Sequence, residues 1–125
     1  MRDGGHGGRI ISLSAISALV GRSFQTAHTP TKAGVRSLMQ SLAIVLGPYA
    51  ITCNSILPGS ILTDINRNHY QDVHRLAHDT QRIPTGTLGH PTDIAGVAAF
   101  LAPEDAAYSN GADILVDGGL FVNLQ

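Results

Sequence analysis

The sequence is short of charge, has one cysteine and has no long apolar run, and each scarcity excludes a class of protein. Charged residues make up 14% of the 125 and hydrophobic ones 43%, whereas an ordinary globular domain carries roughly 25% charge. Much of the chain therefore expects to be buried, including faces that another segment or subunit would cover. A formal net charge of -1 leaves no electrostatic footprint for nucleic acid or an anionic membrane. Cys53 has no intrachain disulfide partner, which suits a reducing compartment. It falls in an apolar, strand-like run (51–56) and reads as a buried, inert thiol. No stretch reaches the roughly 18 apolar residues of a membrane span, and Met1-Arg2-Asp3-Gly4-Gly5 offers no apolar signal core. The expectation is one soluble, cytoplasmic domain with no membrane and no nucleic-acid partner.

What is present is an alternation of strand and helix signals. A β-type run at 9–14 follows a Gly-rich lead, and a loop passes through Gly21 and Arg22. Apolar residues then recur at Val35, Leu38, Met39, Leu42, Ala43 and Leu46. This is one face of an amphipathic helix over about 27–46, stopped at Gly47-Pro48. Pro30 sits in its first turn, where the missing N–H costs little. A second strand covers 51–57 and ends at Pro58-Gly59. The polar stretch 60–82 predicts a short helix near 72–78. Pro91-Thr92-Asp93 opens a helix to Leu101, with Asp93 suited to the positive end of the helix dipole. A last strand, 113–116, runs into Asp117-Gly118-Gly119.

Two βαβ crossovers of a parallel sheet follow from this order. Such sheets take helices on both faces, so three strands with two helices predict an uncovered face or edge and an unfinished unit.

At this level the motifs resemble the second half of the short-chain dehydrogenase/reductase family. Carrying the resemblance are Gly8-Arg9-Ile10-Ile11 with its Ser-rich strand end, Lys32-Ala33-Gly34-Val35, Cys53-Asn54-Ser55-Ile56-Leu57-Pro58-Gly59 and Val116-Asp117-Gly118-Gly119. More narrowly, residues 16–21, Thr29-Pro30-Thr31-Lys32 and the tail 120–125 resemble fungal L-rhamnose 1-dehydrogenases. The implied fold is α/β, the C-terminal part of a Rossmann-type parallel sheet of about three strands with flanking helices. The dinucleotide-binding N-terminal half is expected to be absent from residues 1–125, because no strand–Gly-rich turn–helix for a pyrophosphate is found. Gly4-Gly5-His6-Gly7-Gly8 precedes a strand and reads as a flexible lead-in.

The resemblance also implies chemistry: hydride transfer between a nicotinamide and a sugar or small alcohol or carbonyl, with NAD or, favoured, NADP. In the family a tyrosine is the general acid/base. A lysine four residues later, on the same helical face, lowers the tyrosine pKa and binds the nicotinamide ribose. A serine thirteen residues before the tyrosine bonds the substrate oxygen. Lys32 matches the lysine, the tyrosine position holds His28 and the serine position holds Ala15. Imidazole is a competent acid/base near neutral pH, but it is shorter than a phenol. Alanine donates nothing, which leaves Ser17 as a stand-in past the strand end. Ser14 is disfavoured, since adjacent strand residues face opposite ways. Pro58, Gly59, Ile61 and Thr63 match positions that contact the nicotinamide end, with Lys32. The glycine is expected to serve a sharp turn beside the cofactor.

Two function classes follow. One is an NAD(P)-dependent oxidoreductase by ancestry, catalytically impaired in this chain and a poor binder of its cofactor. The other is a non-catalytic remnant that pairs with related subunits, a homo-oligomer through the Lys32 helix included. No metal is expected: His74 and His78 lie at i, i+4 without an acidic or thiol partner at fitting spacing, and read as a solvated lid helix. Tyr49 and Tyr70 have no lysine four residues on.

Overall fold

A computed structural model describes residues 1–123. Three parallel strands, β1 (Gly8–Leu13), β2 (Ile51–Pro58) and β3 (Asp113–Val116), form one sheet in the order β1-β2-β3. The register runs from Gly8↔Ile51 to Leu13↔Ile56 and from Ser55↔Asp113 to Pro58↔Val116. β2 is central and buried from Ile51 to Leu57, which is why it lacks polar alternation.

Helix α1 (His28–Leu46) links β1 to β2, and α3 (Pro91–Leu101) lies between β2 and β3. Met39 and Ala43 of α1 pack on Ile51, Cys53 and Ile10. Ile94 and Leu101 of α3 pack on Ile56, Ile11 and Ile114. Ile10 and Ile11 are neighbours in β1, and successive strand residues point to opposite faces. Each helix therefore covers its own face of the sheet. Of the expected alternatives, it is an edge that lies open: among the described residues β1 pairs with β2 alone. The outer side of α1 is also bare, with Leu38 56%, Ile44 79% and Val45 63% exposed.

The helix ends follow from local chemistry. Asp93 Oδ2 accepts the His90 N–H at 2.7 Å in a reciprocal cap, with Pro91 at the first helical position. Helix α2 (Val73–Gln81) starts where Asp72 Oδ1 accepts the His74 N–H at 2.9 Å. It runs three residues past the expected end. At the end of α1, Gly47 N–H still bonds Ala43 O before the chain tightens into a 3₁₀ turn at Gly47–Tyr49. Cys53 is fully buried, and burial pushes its thiol up, in keeping with an inert core residue. No helix among the described residues is long and apolar enough to cross a membrane.

Candidate active site

At the C-terminal ends of β1 and β2 the chain opens into two adjoining clefts of ≈ 500 Å³ and ≈ 460 Å³. Ligands of open α/β sheets bind outside the carboxyl ends of the strands. Ala15, Ser17, His28, Pro58 and Gly59 line the first cleft. Ile61 and Thr63 line the second, with Ala15, Pro58 and Gly59 shared. Lys32 lines neither; its Nζ donates to the Leu13 carbonyl at 2.9 Å, and Leu13 walls the second cleft. The clefts thus bring together Ala15, Ser17, His28, Pro58, Gly59, Ile61 and Thr63, while Lys32, expected among them, lies one step back.

The residues around Lys32 explain its placement. Ser14, buried at the end of β1, donates its hydroxyl to the Lys32 carbonyl at 2.8 Å, and its N–H bonds Ile56 O at 2.9 Å. That hydroxyl locks α1 to the sheet and is not open to a substrate. Ala15 is extended and brings a methyl to the cleft. Ser17, in the 3₁₀ turn Ile16–Ala18, is 5% exposed, and its Oγ has no hydrogen-bond partner. His28 opens α1 and is exposed.

Gly59 needs to be glycine for a different reason from the expected turn. A Cβ there would lie 2.6 Å from Asp117 Cβ and 2.8 Å from its Cα. The constraint is close packing against the end of β3, where Gly59 N–H also bonds Val116 O at 3.0 Å. Asp117 in turn accepts the N–H groups of Gly119 at 2.9 Å and Phe121 at 2.7 Å, which carries the tail back to the first cleft. Of the tail that figured in the sequence reading, Leu124 and Gln125 lie outside the described residues.

Several cleft residues carried no sequence signal. Gln25 lines the first cleft with a buried, unpartnered Oε1. Arg22 lines both clefts, Asp79 the first and Tyr70 the second. Tyr70 OH donates to Asp79 Oδ2 at 3.0 Å, a pairing across nine residues that no short motif announces. Burial raises the Tyr70 hydroxyl above its ordinary 10.0, and the hydrogen bond and charge of Asp79 add to this. For Asp79, burial alone would raise the carboxyl, but hydrogen bonds with His78 and Tyr70 and the charge of Arg22 hold it below its ordinary 3.8.

The stability of α2 on the cleft should therefore depend on alkaline pH. A folded-state pKa raised above the unfolded value means stability that is complete below the unfolded pKa and lost as pH rises through the folded one. The buried Cys53 thiol, also raised, contributes alike to wild type and Tyr70→Phe, so the difference between the two reads Tyr70. Melting temperature measured from about pH 8 to about pH 11 should fall more steeply in the wild type than in Tyr70→Phe. Parallel curves for the two proteins would remove Tyr70 as the cause.

The residues matched to the nicotinamide end lie at the clefts, whereas the other end of a dinucleotide has no cradle among the described residues. Ile61 and Thr63 line the second cleft, and Thr63 N–H is held by Asn66 Oδ1 at 2.8 Å. A strand–glycine turn–helix to cradle a pyrophosphate does not occur among the described residues. Gly4 to Gly7 lead directly into β1.

Comparison with known proteins agrees with this geometry. The family model described as enoyl-(acyl carrier protein) reductase matches residues 1–121. An L-rhamnose 1-dehydrogenase (NAD(P)(+)) of Azotobacter vinelandii is 58% identical over all of this chain and 49% of its own length. The L-rhamnose-1-dehydrogenase of the yeast Scheffersomyces stipitis is 57% identical over 97% of this chain and 47% of its own. The resemblance read from the motifs thus extends equally to bacterial relatives. A short-chain type dehydrogenase/reductase from Mycobacterium ulcerans superimposes with a TM-score of 0.92 at 32% identity, over 98% of this chain and 44% of that one. The chain spans about half the length of the curated relatives it matches.

Proposed function

The chain belongs to the short-chain dehydrogenase/reductase family, and from that membership we propose that it is the C-terminal, lysine-bearing half of an NAD(P)-dependent sugar oxidoreductase unit whose proton-transfer step is impaired. The observation that carries this reading is the set of side chains on the first cleft. An imidazole, His28, and a methyl, Ala15, stand where the family places a phenol and a hydroxyl, and the neighbouring Ser14 hydroxyl is spent on the Lys32 carbonyl. A proton must travel to or from the substrate oxygen over heavy-atom distances of about 2.6–3.2 Å. His28 is the proton-handling group of this arrangement. Ser17 takes the place of the missing donor.

NADP is the favoured cofactor over NAD, with Lys32, Pro58, Gly59, Ile61 and Thr63 holding its nicotinamide end. When bound, the nicotinamide supplies the hydride acceptor or donor. The protein's own contribution is to orient the ring through the backbone after β2 and to place the Lys32 charge beside the proton-handling group. The substrate is a sugar, with L-rhamnose the first to test, since relatives 57–58% identical are named for it.

The test is a fluorescence titration with NADPH, using this chain mixed with the first half of the Azotobacter relative. Saturable binding is expected, and Lys32→Met should weaken it at least about tenfold, the order expected for a lost charge-assisted hydrogen bond. An absence of saturable binding in the mixture ends the cofactor reading.

A second reading is a non-catalytic module that pairs with related subunits through α1. It draws on the bare apolar side chains Leu38, Ile44 and Val45, an unusual group to leave in water, and on the open β1 edge, a ready site for strand pairing. A monomeric, cooperatively melting chain with turnover excludes it.

A further inference from the structure

At the end of the sheet away from both clefts, the first residues of β1 and β2 border a polar cavity of ≈ 570 Å³. Arg9, Thr52 and Glu104 are among its walls. Arg9 and Thr52 are register partners in the parallel ladder, so their side chains rise side by side on one face. Arg9 shares that face with Ile11, which packs under α3. Helix α3 stops at Leu101, short of Glu104 on the next turn.

Both side chains carry polar atoms that the fold leaves unmet. The Arg9 side chain is 13% exposed, and its Nη1 donates to Gly8 O at 3.0 Å. Its Nε and Nη2 are buried and make no hydrogen bond among the described residues. Glu104 Oε1 comes within 3.1 Å of Nη2 as an ion pair, but off the line that a hydrogen bond requires. That carboxylate is 91% exposed, so water competes for it and the pairing is weak. Thr52 is 6% exposed, and its Oγ1 is likewise buried and unpartnered. A buried guanidinium edge beside a buried hydroxyl, both unmet, is an arrangement that folding alone disfavours.

We propose that Arg9 and Thr52 form an oxyanion-binding site for the carboxylate or phosphate group of a small molecule, which displaces Glu104. Nε and Nη2 make one edge of the guanidinium, and the two parallel N–H groups of that edge match two oxygens of such a group. Thr52 Oγ1 donates to it from the neighbouring strand. The bond from Nη1 to Gly8 O steadies the guanidinium before a ligand arrives. Glu104 is itself a carboxylate on this edge, held by one skewed contact, and marks the charge that the site takes. Its side chain turns into the surrounding water by its own torsions, so the exchange needs no backbone movement.

This site lies at the opposite end of the strands from the two clefts, so its test is separate from that of the cofactor reading. The experiment is an NMR titration of the full chain with inorganic phosphate and with malonate, against chloride at matched ionic strength. Saturable shifts of the Arg9 Nε–H and the Thr52 amide are expected with at least one probe. Phosphate alone marks a phosphate-bearing ligand, and malonate alone a carboxylate. Arg9→Lys keeps the charge without the fork and should weaken binding at least about tenfold, and Thr52→Val about three- to tenfold. Glu104→Ala, which clears the edge, should tighten binding about three- to tenfold, a gain that a damaged fold does not mimic. Circular-dichroism melting of each variant separates lost binding from lost fold. An absence of saturable binding by the wild type overturns the proposal, as does an unchanged affinity in any of the three variants.

Discussion

Placing residues 1–125 behind the first half of the Azotobacter relative, and then introducing Ala15→Ser and His28→Tyr together, is expected to raise kcat/KM for L-rhamnose by about 10²–10⁴ over the same chimera with Ala15 and His28. The magnitude follows from what each position lacks. Positioned acid/base catalysis is worth about 10²–10⁴ in rate, and one donor to the reacting oxygen about 10²–10³. The contributions do not multiply, because residues that act as a unit lose most of their effect with the first one removed. Ser alone at position 15 should therefore give a small gain and Tyr alone at 28 a larger one, with the pair exceeding both. The geometry for the restoration is in place. Position 15 already lines the cleft opposite the first turn of α1, and Ser14 pins that helix to β1 through the Lys32 carbonyl. Lys32 is the one element that must move, since its ammonium now rests on the Leu13 carbonyl. Steady-state NADPH formation measures the outcome. If the double restoration leaves turnover within about threefold of the starting chimera, a margin well below the acid/base effect, the two substitutions are not what limits this protein.

Elements with a strong local signature were legible from sequence. Pro91 at a first helical position and Asp93 three residues after the cap gave the start of α3, and the four-residue strand 113–116 matched to the residue. The apolar spacing of α1 placed it to within one residue. The short helix was placed but ended too early, since nothing in His78-Asp79-Thr80-Gln81 marks a stop and Tyr70 holds Asp79 from outside the helix. Of the matched residues, His28 and Ala15 fall on the first cleft by counting along one helix and strand, because spacing is conveyed by sequence, whereas Lys32 lies outside both clefts. What sequence does not convey is which side chain ends up with no partner. Gln25 is an ordinary loop residue until the fold buries its Oε1 at the cleft, and Ser17 looked like a mere substitute until its hydroxyl proved buried and unpaired among the described residues. The same limit applies to Gly59, whose need for hydrogen in place of a side chain comes from Asp117, 58 residues away in sequence.

Asn54 is the position where a single truncation should cost the fold most. It sits in the central strand at 1% exposure, a polar residue in an otherwise closed stretch. Its Nδ2 donates to Ser109 O at 2.7 Å, and its Oδ1 accepts the Ala112 N–H at 3.0 Å. These bonds fasten the loop that delivers β3, whose own ladder with β2 spans only four pairs. Asn54→Ala removes a buried side chain and leaves the Ser109 carbonyl and the Ala112 N–H, both on half-buried residues, without partners, each costing up to about 1–3 kcal/mol. The expected loss is about 2–4 kcal/mol, a large part of the roughly 5–15 kcal/mol that holds a domain together. Urea unfolding should show Asn54→Ala well below the wild type at an unchanged m-value. The consequence reaches the cleft, because β3 carries Asp117 against Gly59, and Asp117 holds Phe121 on the cleft wall. Loosening Asn54 should therefore weaken sugar binding in parallel with stability, although it touches no ligand. An Asn54→Ala chain as stable as the wild type would mean that the β2–β3 ladder alone secures this end of the sheet.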